Sequence, residues 1–303
     1  MVNTRTLEQM LDLSGRAAQD SGARRDLVRR GLLATGGEAA QAAPALAPQR
    51  GAQMGRSARR QQDILDNWAM LDFATRAEAR AVRSHDATIS QLARDPQIAG
   101  AFDVLRTQLL QAMAANGWTT IGVTSPTHGC GGTFVASALA ASCARREDLR
   151  AILLDLDLQR PTLHEAFDLE PMGSVADMLA GRLPMEAHLQ RLTRSFAIGM
   201  SDAPFTSPVG VLQSDTAQSV MSEIRTQLAP DIIICDLPPL LSGDAAIAML
   251  PQLDGVLLVT DGTQTSPRDI TDCERLIAGK TQLMGVILNK SDDRDFERFN
   301  PRG

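Results

Sequence analysis

Residues 119–140 read TTIGVTSPTHGCGGTFVASALA. The run from Thr119 to Thr124 is apolar and short, as suits a strand buried on both faces. A glycine-rich loop follows, Ser125-Pro126-Thr127-His128-Gly129-Cys130-Gly131-Gly132-Thr133, and then a stretch that reads as helix. Strand, loop and helix in that order can wrap backbone N–H groups around a phosphate, with the positive end of the helix dipole behind them. Gly129, Cys130, Gly131, Gly132, Thr133 and Phe134 are then the nucleotide-binding segment, and Thr133 puts a hydroxyl where Mg²⁺ is held. A plain strand-to-helix turn is the competing reading, because Gly132 stands where such a loop carries lysine.

Working outward, short apolar runs recur at 119–124, 151–156, 195–200, 231–236, 255–260 and 284–289. Helix-like segments at 132–145, 215–228, 242–250 and 267–278 lie between most of them. This alternation predicts an α/β fold with a mostly parallel central sheet flanked by helices and joined by right-handed crossovers. Ligands of such sheets bind beyond the C-terminal ends of the strands. Asp155 and Asp157 sit at one such end, in LLDLDLQRP. One can order a Mg²⁺-bound water and the other accept a proton from a nucleophile; the alternative is a pair of turn or capping aspartates. Asp236 closes the run DIIICD, where an NTPase keeps a Mg²⁺-coordinating carboxylate. Asn289 closes the last run, with an amide suited to an adenine edge or to an ordinary turn.

The bulk properties narrow the choice. The chain has 303 residues, is 44% hydrophobic and carries a net charge of -6, which argues against general nucleic-acid affinity. Cys130, Cys143, Cys235 and Cys273 have no metal-ligand spacing and read as reduced thiols. No apolar run approaches the roughly 20 residues that span a bilayer, and the polar start lacks a signal-peptide core. The expected location is the cytoplasm, with peripheral attachment at the inner membrane through a partner.

Residues 1–95 differ from the rest: a helical, partly disordered extension with an Ala/Gly/Pro/Gln-rich linker near 34–55. Within it, residues 56–82 predict a helix with Ile64, Trp68, Leu71 and Phe73 as contacts. The pairs Arg24-Arg25, Arg29-Arg30 and Arg59-Arg60 read as a solvated helix face, or as a surface for anionic lipid or a partner. Residues 96–293 form the α/β domain and 294–303 a short tail.

With these motifs in view, the chain from about Asp95 to Asp293 resembles the cytoplasmic domain of the bacterial tyrosine kinases of capsule and exopolysaccharide systems, relatives of the MinD/ParA ATPases among the P-loop NTPases. GAFDVLRTQLL (100–110) is similar to the helix ahead of that family's phosphate loop, and VTSPTHGCGGTFVASALA to the loop itself. AILLDLDLQRPTLHEAF resembles the second aspartate motif, DIIICDLPPLL the Walker B strand and MGVILNK the last core strand. GSVADMLAG and SPVGVLQS resemble segments between them. The resemblance implies ATP or ADP and Mg²⁺ as cofactors. It implies that Thr133 and Asp236 hold the metal, and that Asp155 lies near the metal and the reacting hydroxyl with Asp157 assisting. It also implies a homo-oligomeric ring, a membrane chain-length-determinant (co-polymerase) protein as activating partner, and tyrosine phosphorylation that controls polymer assembly and export.

Three departures bear on activity. Gly132 removes the lysine whose charge-assisted hydrogen bond is worth about 1.5–3 kcal/mol, and loss of one such transition-state contact slows a reaction on the order of 10²–10³-fold. Lys280 and Lys290 both lie late in the domain, which leaves Arg106 or Arg160 as the substitute. The 303 residues contain no tyrosine, so this chain holds no acceptor for autophosphorylation. The family's Glu-x-x-Arg-x-x-Arg ring pattern reads Gly100, Asp103, Arg106 here. Together they predict a degenerate, pseudokinase-like regulator. The alternatives are a divergent ATPase or kinase that acts on another protein through an arginine, and a MinD/ParA-like positioning ATPase. The last is disfavoured by Thr127, which stands where that group has a lysine.

Overall fold

A computed structural model describes residues 50–74 and 96–290. The helix expected before residue 50, the linker up to 49, residues 75–95 and the tail beyond 290 lie outside that range. In chain order the elements are α1 (Arg50–Met70), α2 (Pro96–Asn116), β1 (Thr120–Thr124), α3 (Gly132–Ala144), β2 (Ala151–Asp155), α4 (Leu163–Phe167), α5 (Val175–Leu179), β3 (Gln190–Arg191), β4 (Phe196–Gly199), α6 (Pro208–Leu212), α7 (Asp215–Glu223), β5 (Ile232–Asp236), α8 (Asp244–Met249), β6 (Gly255–Asp261), α9 (Pro267–Ile277) and β7 (Gln282–Asn289).

The seven strands form one sheet in the order β3-β4-β2-β5-β1-β6-β7, parallel except for the β3–β4 pair. Every residue of β1, β2, β5 and β6 is buried. Alternation along β2 and β5 explains why these runs are apolar throughout. Ile152, Leu154, Ile233 and Cys235 enter the core on one face, and Ala151, Leu153, Ile232 and Ile234 the core on the other. α2 and α3 cover the second face. α3 is built largely of Ala, Ser and Cys, small side chains that let the helix lie close to the sheet.

The predicted helix 215–228 is α7 only to Glu223; Ile224–Leu228 continue as a π-helical turn. Ala229 then takes a left-handed φ of 41° ahead of Pro230, which disfavours an α conformation at the preceding residue. α9 starts on a reciprocal capping box between Ser266 and Asp269 with Pro267 in its first turn.

The N-terminal region departs from expectation at both ends. α1 begins at Arg50, inside the predicted linker, because QRGAQM is rich in helix formers. It stops at Met70 rather than continuing to 82, and residues 72–74 turn extended onto the sheet edge. Arg191 donates its backbone N–H to the Asp72 carbonyl (2.7 Å) and accepts from Ala74 (2.8 Å). Its guanidinium donates to the Leu71 carbonyl at 2.8 Å and the Ala69 carbonyl at 3.3 Å, and lies 4.3 Å over the Phe73 ring. Ile64, Trp68 and Leu71 are buried in the first core, and Phe73 stays exposed under Arg191. The Trp68 indole N–H and the Asn67 amide donate to the carbonyls of Leu228 and Gln227, the last residues of the π-turn. Arg59 and Arg60 are exposed. Arg191→Met removes two charge-assisted hydrogen bonds and a stacked ring. It should cost about 1–3 kcal/mol and speed hydrogen exchange at the amide of Ala74, measured by mass spectrometry. Unchanged exchange there would show that the edge contact is incidental.

Candidate nucleotide and magnesium site

The phosphate loop lies at the C-terminal end of β1, in the centre of the sheet. Its backbone has the shape the glycines were expected to permit. Gly129 and Gly131 take φ of 85° and 93°, and Gly131 is the N-cap of α3 with no side chain capping the helix. The first N–H groups of that helix, at Gly132, Thr133 and Phe134, are left for an anion. The Phe134 ring turns away and meets Phe102 edge-on at 6.0 Å. The loop is held from one side by β5 and the segment after it: Leu240 and Leu241 donate to the carbonyls of Ser125 and Pro126, and the Thr124 hydroxyl donates to the Pro238 carbonyl at 2.7 Å.

From the other side the loop is held by the end of β7. β6 and β7 overhang β1, and Asp261 and Asn289 are register partners there. The Asn289 amide donates to the Cys130 carbonyl at 2.9 Å, so it supports the loop rather than standing free for an adenine edge. The Lys290 ammonium donates to the Gly129 carbonyl (2.6 Å) and pairs with Asp261 (3.0 Å). The expectation that neither lysine approaches the loop is therefore corrected for Lys290. It does not replace the missing lysine, because buried Asp261 neutralises it and it meets the carbonyl side of the loop. Hydrogen bonds from the Thr263 hydroxyl and backbone, and the Lys290 charge, hold the Asp261 carboxyl down to about 2. Asp261 and Lys290 escaped the sequence reading; the signal that could have found them is that β6 and β7 end on the same sheet edge as β1.

Gly131 has almost no room for a side chain: a Cβ there would lie 2.2 Å from Asn289 Nδ2. Gly131→Ala should therefore displace Asn289 and strain the left-handed turn, costing about 1–2 kcal/mol. Thermal melts of this variant, alone and combined with Asn289→Ala, separate the two causes. If the clash matters, the cost of Gly131→Ala shrinks in the Asn289→Ala background.

The acidic residues converge through strand register. Asp236 pairs with Asp155 across β5–β2 and with Val123 across β5–β1, so both carboxylates end their strands beside the loop. Asp155 takes the capping role at one of its oxygens. Its Oδ2 accepts the N–H groups of Thr162 and Leu163 and so caps α4, while its buried Oδ1 has no partner among the described residues. Neither buried oxygen of Asp236 has one, although the Thr133 hydroxyl is near enough to favour its charged form without reaching hydrogen-bond geometry. Burial, with repulsion from Asp157, pushes Asp155 up to about 7, and burial, then repulsion from Asp155 and Asp157, pushes Asp236 well above the ordinary range. Asp157 takes the turn role: its Oδ1 accepts the Arg160 N–H at 3.2 Å. Burial raises it too, opposed by the nearby charges of His128 and Arg160.

Buried carboxylate oxygens without donors are costly unless a cation joins them. Among the described residues no three His, Cys, Asp or Glu side chains form a self-sufficient metal cage. Two carboxylates beside a hydroxyl and a phosphate loop suit Mg²⁺, which takes one or two protein carboxylates and completes its shell with phosphate and water. The residues fit the ion, and Asp236, Asp155 and Thr133 would hold it.

Of the two arginines considered as substitutes for the lysine, Arg106 is excluded. It donates to Asp103 and to the carbonyl and hydroxyl of Ser142, near the far end of α3. Asp103, Arg106, Ser142 and Arg145 thus form a network between α2 and α3. Arg160 is exposed beside Asp157.

Fold and loop together define a domain of the P-loop NTPase class. Within that class the chain is similar to bacterial tyrosine kinases. It is 26% identical over 190 residues to the tyrosine-protein kinase YwqD of Bacillus subtilis, a match covering 62% of this chain and 79% of YwqD. It is 27% identical over 191 residues to the tyrosine-protein kinase Etk of Escherichia coli K12, covering 62% of this chain and 26% of Etk. The chain spans about a quarter of the length of several of the curated relatives it matches. In structure it is similar to the kinase domain of Escherichia coli ETK, with a TM-score of 0.60 at 24% identity over 75% of this chain and 92% of that one. The VpsO kinase domain gives 0.58 at 23% identity over 68% and 100%. No protein-family model matches the chain. Among the described residues no helix is long and apolar enough to cross a membrane.

Proposed function

We propose that the protein is a pseudokinase-like regulator of a bacterial tyrosine-kinase system for capsule or exopolysaccharide assembly and export. It binds Mg-ADP or Mg-ATP without efficient phosphoryl transfer and docks on a membrane chain-length-determinant partner. One contrast carries the reading. The carboxylates, the hydroxyl and the uncapped helix N-terminus are kept, while the position of the lysine is Gly132 and the lysine that does reach the loop is neutralised by Asp261. The retained groups suit binding of the nucleotide and its metal. The missing charge is the one that would stabilise the transferring phosphoryl group.

In this reading the helix N–H groups orient the phosphates. When bound, Mg²⁺ supplies the charge that lets Asp155 and Asp236 ionise together. Isothermal calorimetry with Mg-ADP and Mg-ATP, with a phosphate-release assay alongside, tests it: saturable binding with negligible turnover is expected. Turnover at the pace of an active kinase would overturn it in favour of a divergent enzyme, for which exposed Arg160 beside Asp157 is the candidate cation. Absence of binding would leave a function carried by contacts alone.

A further inference from the structure

The opposite edge of the sheet, at the N-terminal ends of β1 and β6, holds a cavity of about 460 Å³. It is built from the turn before β1 (Gly117, Thr119), the polar side of α7 and its π-turn (Gln218, Arg225), and the turn before β6 (Gln252, Asp254). It lies at the end of the strands remote from the phosphate loop and shares no residue with that site.

Two features mark it as more than a surface dent. Arg225 is half-buried at its wall, and among the described residues its one hydrogen bond is to the Thr120 hydroxyl at 3.2 Å. No carboxylate among the described residues pairs with this guanidinium. A guanidinium with most of its five donors unengaged, held in a concave wall, is a ready receptor for a planar or tetrahedral oxyanion. Secondly, Gln252 holds the Leu212 carbonyl with its amide N–H and leaves its buried Oε1 without a partner. The π-turn that presents Arg225 is an unusual local winding, and such turns recur at functional sites.

The opposing charge refines the ligand. Asp254 also lines the cavity, with Oδ2 accepting the N–H groups of Thr119 and Thr120 at 2.8 Å each. A bare anion would gain from Arg225 and lose from Asp254. A molecule with an oxyanion at one end and hydroxyl donors at the other satisfies both, and the volume suits a small metabolite. We infer that this cavity is a second ligand site, taking a small hydroxylated phosphate or carboxylate whose oxyanion is held by Arg225.

The chain reports on this site by itself. It has no tyrosine, and Trp68 and Trp118 are its two tryptophans. Trp118 lies between lining residues Gly117 and Thr119, and Trp68 is bonded to the π-turn carrying Arg225. Tryptophan emission of the full chain should be followed during titration with inorganic phosphate, acetate and glycerol 3-phosphate. A saturable change is expected with glycerol 3-phosphate, weaker with phosphate or acetate. A preference for acetate over phosphate would identify the carboxylate as the source of the oxyanion. Arg225→Gln should weaken binding about tenfold or more. Exposed Gln218 offers a check that leaves the fold alone: Gln218→Glu should weaken binding and Gln218→Lys should tighten it, effects that phosphate in the distant loop would not show. No saturable response to any of the three probes, or a response indifferent to both positions, overturns the proposal.

Discussion

Gly132→Lys should tighten Mg-ATP binding about 10- to 100-fold. The structure leaves room for the change: Gly132 begins α3 without a left-handed φ, and a Cβ there meets nothing closer than the Ser125 hydroxyl at 3.9 Å. A lysine gains over glycine in helix propensity, by up to about 1 kcal/mol. It loses up to about 1 kcal/mol by placing a cation at the positive end of the helix dipole. Stability should therefore change little, and the affinity gain reflects a charge-assisted hydrogen bond of about 1.5–3 kcal/mol. Where turnover is measurable it should rise on the order of 10²-fold. Calorimetry on both proteins decides the matter. Equal affinities would mean that the loop does not hold phosphate in the geometry its backbone suggests.

The second large effect concerns Asp236. In the unfolded chain Asp155 and Asp236 titrate near the usual carboxylate value, about 3.9. Folding raises both, Asp155 to about 7. Between about pH 4 and pH 7 the folded, metal-free domain holds protons that the unfolded chain has released, so its stability falls as pH rises through that window. Mg²⁺ should reverse the trend by displacing the proton, so its stabilising effect should grow with pH. Asp236→Asn keeps the shape and removes one charge. At about pH 8 it should stabilise the metal-free domain by about 2 kcal/mol, or roughly 4–8 °C in melting temperature for a domain of this size. It should also abolish the rise that Mg²⁺ produces. A variant that melts below wild type without metal, or still responds fully to Mg²⁺, would show that the carboxylate pair is not the ion's seat.

The fold was legible because its strands are buried on both faces and therefore stand out as apolar runs between glycines, prolines and polar helices. All six predicted runs are strands, with ends shifted by up to two residues. β3, two residues long with one of them Arg191, has no such signature and went unseen. The loop and its aspartates were legible for the same reason, since strand ends of a parallel sheet share one edge. What local pattern could not show was partnership. Asn289 reads as a free amide until β7 is laid beside β6. Arg106 reads as a spare cation until α2 packs on α3 and Ser142 claims it. Lys290 looks remote because sequence distance hides that β7 ends beside the loop. Residues 72–74 carry no strand signal because a single bridge to Arg191 holds them.

That bridge bears on how the domain keeps to itself. β3 is the outermost named strand, and an open strand edge is a template for pairing with another chain. Here the extended segment 72–74 borders it, and the Arg191 side chain folds back over the same contact. A protein cut at residue 95, where composition changes, would lose this border together with Ile64, Trp68 and Leu71 from the core. The bared edge would lie beside an apolar trough, a combination that invites self-association. The segment that looks most dispensable in the sequence thus borders the sheet edge and completes the first core.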